Sequence, residues 1–222
     1  MKVCTDACVF GAHVAAFIEH ESMVINDILD IGTGTGLLSL LLAQKTDANI
    51  DAIEIDTAAA MQAEQNFKNS PWSDRLRVFN TDVLQYQTGK KYDCIIANPP
   101  FFEDDLHSPD ERKNKARHDV SLSLDQLVKV IDEHLATDGF FAVLLPFHRA
   151  DKFIAVAEKN QLYLLKELKL QHTKKHPMFR AVLYFTRRKP IHIAEETLAI
   201  KDIDGNYTMA FKTLLKDYYL HC

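Results

Sequence analysis

Asn98-Pro99-Pro100-Phe101 follows directly on the apolar run Tyr92-Asp93-Cys94-Ile95-Ile96-Ala97. A flat exocyclic amine has two hydrogens to place and a ring that needs a surface to lie on. The Asn98 amide oxygen, the Pro99 carbonyl and the Phe101 ring offer two acceptors and a stacking face. The two prolines stiffen the turn and remove backbone donors that would compete for the acceptors. Upstream, Asp30-Ile31-Gly32-Thr33-Gly34-Thr35-Gly36 puts three glycines between an apolar strand-like stretch and an apolar helix-like one. Such a turn lets backbone approach a nucleotide-like ligand and leaves free helix amides beyond it. The pair of motifs predicts transfer of a group onto a planar nitrogen.

A glycine turn alone is shared by several cofactors, so its surroundings matter. Glu54 closes the next strand-like segment, eighteen positions after Gly36, where a carboxylate can accept both hydrogens of a ribose diol. Asp56, just beyond, is a helix N-cap by type and position. Asp82, in Asn80-Thr81-Asp82-Val83, is expected to accept from an adenine amino group while the Val83 amide donates to the ring; a turn-forming aspartate is the plainer alternative. Asp30 is expected either to organise the glycine loop or to receive an ammonium group. No Gly-Lys-Ser/Thr follows the glycines, which excludes a P-loop ATPase, and the Asn-Pro-Pro-Phe turn speaks against a nicotinamide dehydrogenase. For methyl transfer from a sulfonium, an in-line displacement, alignment is the main requirement. Two acceptors on the amine draw it toward a pyramidal geometry and free its lone pair, with no separate general base before attack.

These motifs need a rigid frame. At 222 residues the chain is expected to be a single domain over 1–222, burying roughly 70–75% of its unfolded surface. Its 47% hydrophobic and 26% charged content is that of a soluble enzyme. The four cysteines Cys4, Cys8, Cys94 and Cys222 are scattered, so a reducing, cytoplasmic setting is expected and no metal site. No signal peptide or membrane span is evident. A net charge of −5 argues against broad nucleic-acid coating. Two basic runs stand out locally: Arg112, Lys113, Lys115, Arg117 and His118 after the proline turn, and His172, Lys174, Lys175, His176 and Arg180 later. Such runs are ordinarily solvated faces; the first follows the turn directly, and its cations are assigned to substrate phosphates.

Periodicity predicts strands over Asp27–Ile31, Ile50–Ile55, Leu76–Phe79, Asp93–Ala97, Phe140–Leu145, Tyr163–Leu170 and Ala181–Thr186. Helices are predicted over Leu37–Gln44, Ala58–Lys68, Leu124–Leu135 and Ala150–Lys159, with Gly139 ending the third. The alternation implies a seven-stranded, mostly parallel α/β sheet with helices on both faces, Rossmann-like, with an antiparallel edge hairpin across Gln171–Phe179. A tail follows Pro190, strand-like over Thr197–Ile200 and helical near Tyr207–Leu220. The long polar loop Phe102–Ser121 is expected to face substrate.

The motifs resemble those of class I S-adenosylmethionine-dependent methyltransferases that modify amino groups. Lys2-Val3-Cys4-Thr5-Asp6, the segment Gly139-Phe140-Phe141-Ala142-Val143-Leu144-Leu145-Pro146 and Asp202-Ile203-Asp204-Gly205-Asn206-Tyr207 resemble, more narrowly, the bacterial tRNA1(Val) (adenine-37-N6)-methyltransferase family. That resemblance implies S-adenosylmethionine as cofactor, S-adenosylhomocysteine as product and tRNA as partner. It places Thr5 and Asp6 near the methionyl end, Gly32, Gly34 and Gly36 along the cofactor, Glu54 on the ribose, Asp82 and Val83 at the adenine, and Asn98, Pro99, Pro100 and Phe101 around the target base. Members of that family carry a phenylalanine- and basic-rich segment ahead of the Lys-Val-x-Thr-Asp stretch, whereas Met1 here precedes Lys2 directly. A monomeric protein is expected. Release-factor-type glutamine methyltransferases share the Asn-Pro-Pro turn but bring a helical N-terminal domain for which this chain has no room. A non-catalytic RNA-binding module of the same fold is the alternative of another class.

Overall fold

The computed structural model describes residues 4–99 and 122–219. The chain runs α1 (Thr5–His20), β1 (Asp27–Ile31), α2 (Leu37–Ala43), β2 (Asn49–Glu54), α3 (Thr57–Lys68), β3 (Leu76–Asn80), a short 3-10 turn (Val83–Gln85) and β4 (Tyr92–Ala97). After residues 100–121 come α4 (Leu124–His134), β5 (Leu135–Pro146), α5 (Ala150–Lys159), β6 (Tyr163–Gln171), β7 (Met178–Thr186), β8 (Ala194–Ala199) and α6 (Met209–Leu215). Pro100, Phe101, Arg112, Lys113, Lys115, Arg117 and the expected loop Phe102–Ser121 lie outside the described residues.

The strands form one sheet in the order β3-β2-β1-β4-β5-β7-β6-β8. β1 to β5 are parallel, β7 is antiparallel to β5 and β6, and β8 is parallel to β6. Both faces are covered, so the central strands are apolar on both sides rather than alternating. Ile28, Cys94, Ile96, Phe140, Ala142, Val182 and Tyr184 pack into one core with α1, α2 and α6. Their strand neighbours Leu29, Ile31, Ile95, Ala97, Phe141, Val143, Leu183 and Phe185 pack into the other, against α4 and α5. Phe141 and Phe185 lie parallel with ring centres 4.7 Å apart, a stack worth about 0.5–1.5 kcal/mol beyond its buried area.

Helix starts follow local chemistry. Asp56 caps α3 by accepting from Ala59 N–H at 2.8 Å. Ser123 and Gln126 form a reciprocal capping box at α4, which satisfies two amides that would otherwise lack partners.

Four features depart from the sequence expectation. The sheet has eight strands, not seven: β8 covers the edge beyond β6, and its exposed Glu195 and Glu196 hide the apolar pattern that marks interior strands. The β6–β7 hairpin is antiparallel as expected, yet β7 sits inside the sheet, between β5 and β6. Gly139 does not end a helix. α4 stops at His134, and Gly139 lies within β5, where an added Cβ would come within 2.9 Å of the Asp93 carbonyl oxygen and 3.0 Å of that of Tyr92. Helix α1, unpredicted, is buried on nearly every side, so it lacks the one-sided stripe by which a surface helix is recognised.

Backbone oxygens cannot retreat from a new methyl group as a flexible side chain can. Gly139→Ala is therefore expected to lower stability by about 1–3 kcal/mol in denaturant unfolding. Gly89→Ala, at a position with open space around it, is expected to change stability by less than about 0.5 kcal/mol.

Candidate active site

The parallel strands β1 to β4 all deliver their carboxyl ends to one edge of the sheet. From β1 the chain order runs outward through β2 and β3 on one side and through β4 and β5 on the other, so the crevice between β1 and β4 is where an open α/β sheet binds ligands. The glycine turn follows β1, Glu54 ends β2, Asp82 follows β3 and Asn98 follows β4.

The glycine turn is fixed from both sides. Gly32 and Thr33 donate their N–H groups to the Ile53 carbonyl at 2.9 and 3.0 Å. Gly32, Gly34 and Gly36 all have positive φ, at 71°, 60° and 86°, a region that side-chain-bearing residues rarely adopt. A Cβ on Gly36 would also fall 2.5 Å from the Phe67 ring, whereas one on Gly32 would point into open space. Gly36 is thus needed for packing as well as for the turn, and Gly32 leaves a face of the backbone open to a ligand.

Glu54, nearly buried, accepts from Gly34 N–H at 2.8 Å through one oxygen and from Asp56 N–H at 2.9 Å through the other. Each carboxylate oxygen has a second lone pair, so this anchored carboxylate retains acceptor capacity for a diol. Asn80 holds the same strand end by donating to the Glu54 carbonyl at 2.9 Å. Asp82 caps the 3-10 turn through one oxygen, accepting from Leu84 N–H at 2.9 Å. Val83 is buried beside it. Ile55 and Leu84 are exposed next to these two acidic positions, apolar surface that a planar ring can cover.

Asp30 is completely buried. One carboxylate oxygen accepts from Thr33 Oγ at 2.6 Å and from Ser39 Oγ at 2.7 Å; the other has no hydrogen-bond partner among the described residues. Burial pushes its pKa up to about 6, opposed by the two hydroxyl hydrogen bonds and aided by the nearby Glu54 charge. Asp30 therefore ties the turn together and keeps one unpartnered acceptor, which fits a ligand carrying an ammonium group. Ser39, the lone polar residue of the apolar stretch Leu37-Leu38-Ser39-Leu40-Leu41-Leu42, escaped sequence reading although its isolation was the signal.

Asn98 is half-buried and Pro99 buried. Ile31 pairs with Ala97 across β1 and β4, so Gly32 and Asn98 leave adjacent strand ends about 5 Å apart. The Asn98 side chain makes no hydrogen bond to another described residue. Thr5 and Asp6 open α1, and Asp6 accepts from Arg180 Nε at 2.9 Å; neither hydrogen-bonds to the glycine turn. Among the described residues no cluster of His, Cys, Asp and Glu is arranged to hold a metal ion.

Residues 1–144 match the methyltransferase small domain. The chain belongs to this methyltransferase family. A tRNA1(Val) (adenine(37)-N6)-methyltransferase of Dyadobacter fermentans is 42% identical over 99% of this chain and 91% of its own length. The enzyme of the same name from Bacteroides thetaiotaomicron is 40% identical over 100% of this chain and 91% of its own. Among solved structures, a protein described as a predicted O-methyltransferase from Agrobacterium tumefaciens superposes with a TM-score of 0.72, covering 95% of each chain at 15% identity. That likeness establishes the class I methyltransferase fold and nothing finer.

Two variants probe the cofactor half of this methyltransferase. In the unliganded fold Asp30 holds its proton up to pH about 6, whereas the unfolded chain releases it near 4. The native state binds more protons in that window, so stability falls as pH rises through it. Asp30→Asn is expected to abolish this fall, to raise unliganded stability at neutral pH by on the order of 2 kcal/mol, and to weaken S-adenosylmethionine binding. Thermal melts from pH 4 to 7 and calorimetry check both signs. Glu54→Ala is expected to weaken cofactor binding about tenfold or more; unchanged affinity by calorimetry would rule out a diol at that carboxylate.

Proposed function

We propose that this protein transfers the methyl group of S-adenosylmethionine to N6 of adenine 37 in tRNA1(Val), releasing S-adenosylhomocysteine. The observation that carries the proposal is the placement of Asn98 and Pro99 one strand away from the glycine turn. The amide and carbonyl acceptors for an exocyclic amine stand beside the cofactor crevice. Relatives similar over 91% of their length carry the same activity in their names, which favours tRNA over a glutamine acceptor.

The cofactor supplies an electrophilic methyl on a sulfonium. Gly32 and its neighbours seat it, Glu54 takes the ribose diol, Asp82 and the Val83 amide take the adenine, and Asp30 meets the ammonium end; Thr5 and Asp6 lie toward that end. Asn98 Oδ1 accepts one N6 hydrogen and the Pro99 carbonyl the other. Both acceptors strengthen their hold as positive charge grows on the nitrogen during attack, so they stabilise the transition state more than the ground state. Pro100 and Phe101 complete the base site, and Arg112, Lys113, Lys115 and Arg117 take tRNA phosphates. Among the described residues no helix is long and apolar enough to cross a membrane. We assign the protein to the cytoplasm, acting as a monomer with 1–222 as one domain.

Asn98→Ala removes an acceptor aimed at the substrate amine and nothing that touches the cofactor. Methyl transfer to tRNA is expected to fall about 100-fold or more, with S-adenosylmethionine affinity retained. Labelled methyl transfer to unmodified tRNA1(Val), followed by nucleoside mass spectrometry, tests the proposal. The expected product is N6-methyladenosine at position 37, and incorporation elsewhere, or wild-type rates in the variant, would overturn it.

A further inference from the structure

Resting on tRNA as the substrate, we infer that the β6–β7 hairpin is a second RNA-docking element, with Lys174 and Lys175 at its tip and Lys201 at its base placed to bind the phosphate backbone.

The hairpin stands at the catalytic edge. β7 runs antiparallel to β5, with Arg180 opposite Pro146 and Ala181 opposite Leu145. β4 pairs Ala97 with Val143, which brings Pro99 level with Leu145. Two strand spacings, roughly 10 Å, therefore separate the Pro99 carbonyl from β7. β6 and β7 continue past the end of β5, pairing Gln171 with Met178, and carry the turn beyond the other strand ends on the side where an RNA must lie.

The tip is built rather than loose. His176 N–H donates to the Thr173 carbonyl at 3.0 Å, and Thr173 Oγ and His176 Nδ1 are 2.8 Å apart. Lys174 and Lys175 occupy the two central positions of this turn, and both are exposed. Behind them His172 lies flat on Phe179, with ring centres 4.1 Å apart and planes within 7°. Lys201 joins the base through a 2.9 Å hydrogen bond from its N–H to the His172 carbonyl, and its ammonium lies over the Tyr207 ring.

Several cations at the opposite edge of the sheet are held in ion pairs, although Lys159 and Lys189 there make none with a described residue. Lys90 pairs with Asp27 and Asp51, Arg187 with Asp132 and Arg188 with Asp138. Lys174, Lys175 and Lys201 make no ion pair with a described residue, and residues 172–180 contain no carboxylate at all. The nearest acids are engaged: Asp6 binds Arg180, and Asp202 accepts from the Asp204 and Asn206 amides. Of the two acids in the neighbouring turn, Asp204 is the exposed one. In a chain of net charge −5, unpaired cations collected at one end of the sheet, beside the acceptor site, suit a polyanion whose modified base enters at Asn98.

The test compares the wild-type protein with Lys174→Ala/Lys175→Ala and with Lys159→Ala/Lys189→Ala, a control at the opposite edge. Each is titrated with tRNA1(Val) transcript over a range of salt, and methyl transfer is measured separately. The hairpin pair is expected to weaken tRNA binding about tenfold and to make the log affinity versus log salt slope shallower by about two, one per lost phosphate contact. The rate at saturating tRNA and the S-adenosylmethionine affinity are expected to stay unchanged, as is every value for the control. Equal affinity and slope in the hairpin pair and the wild type would overturn the inference. If the wild type binds tRNA in a hairpin-dependent way but methylates none, the hairpin assignment stands and the proposed reaction fails.

Discussion

The pairing of β1 with β4 is the constraint on which the site depends. Ile31 and Ala97 are partners in that ladder, so the residues that follow them, Gly32 and Asn98, leave the sheet side by side although they lie 66 positions apart in the chain. One residue of slip would move every side chain of a strand to the other face. The two cores prevent this, because Ile28, Cys94 and Ile96 belong to one and Leu29, Ile31, Ile95 and Ala97 to the other. The alignment of donor and acceptor is therefore secured by apolar packing well away from the reacting atoms. In a displacement reaction governed by geometry, that is where the protein's contribution should lie.

The acidic residues of the crevice show how such a frame holds charge ready for a ligand. Glu54 is fixed by two backbone amides, from Gly34 and Asp56, which keep its carboxylate in place without consuming all its lone pairs. Asp30 is treated differently. Two hydroxyls hold one of its oxygens, burial raises its pKa, and the other oxygen has no partner. A buried carboxyl with one oxygen lacking a partner among the described residues costs stability, which a cation placed beside it would offset.

Much of this was legible in the sequence, for reasons that differ by element. The central strands are short apolar runs bounded by turn residues, and the helices α3, α4 and α5 carry one-sided patterns, so their order and type follow from periodicity. The glycine turn, Glu54 and the Asn98 turn were readable because each needs a particular residue type at a particular strand end. α1 was not, because burial on nearly all sides erases its stripe. β8 was undercounted because an exposed edge strand is selected to be polar. Gly139 misled because glycine serves close approach as readily as helix termination, and only the Asp93 and Tyr92 carbonyls beside it decide between the two. Ser39 and Arg180 act through partners distant in sequence, which a single chain read linearly cannot supply.

The extent of the family match divides the protein by role. The match to the methyltransferase small domain ends at residue 144, within β5, and by then the chain has supplied the glycine turn, Glu54, Asp82 and Asn98. The strands that follow extend the sheet sideways: β7 adds to β5, β6 to β7 and β8 to β6. None of these strands carries a residue assigned to the cofactor or the amine. They lengthen the edge along which a large substrate can lie, and they end it in the basic hairpin and the Asp202–Tyr207 turn. The relatives named for tRNA remain similar across this second half as well. On the proposed function, the strands beyond β5 add to the grip on a large substrate that Arg112, Lys113, Lys115 and Arg117 begin, while the strand ends before them carry the reaction.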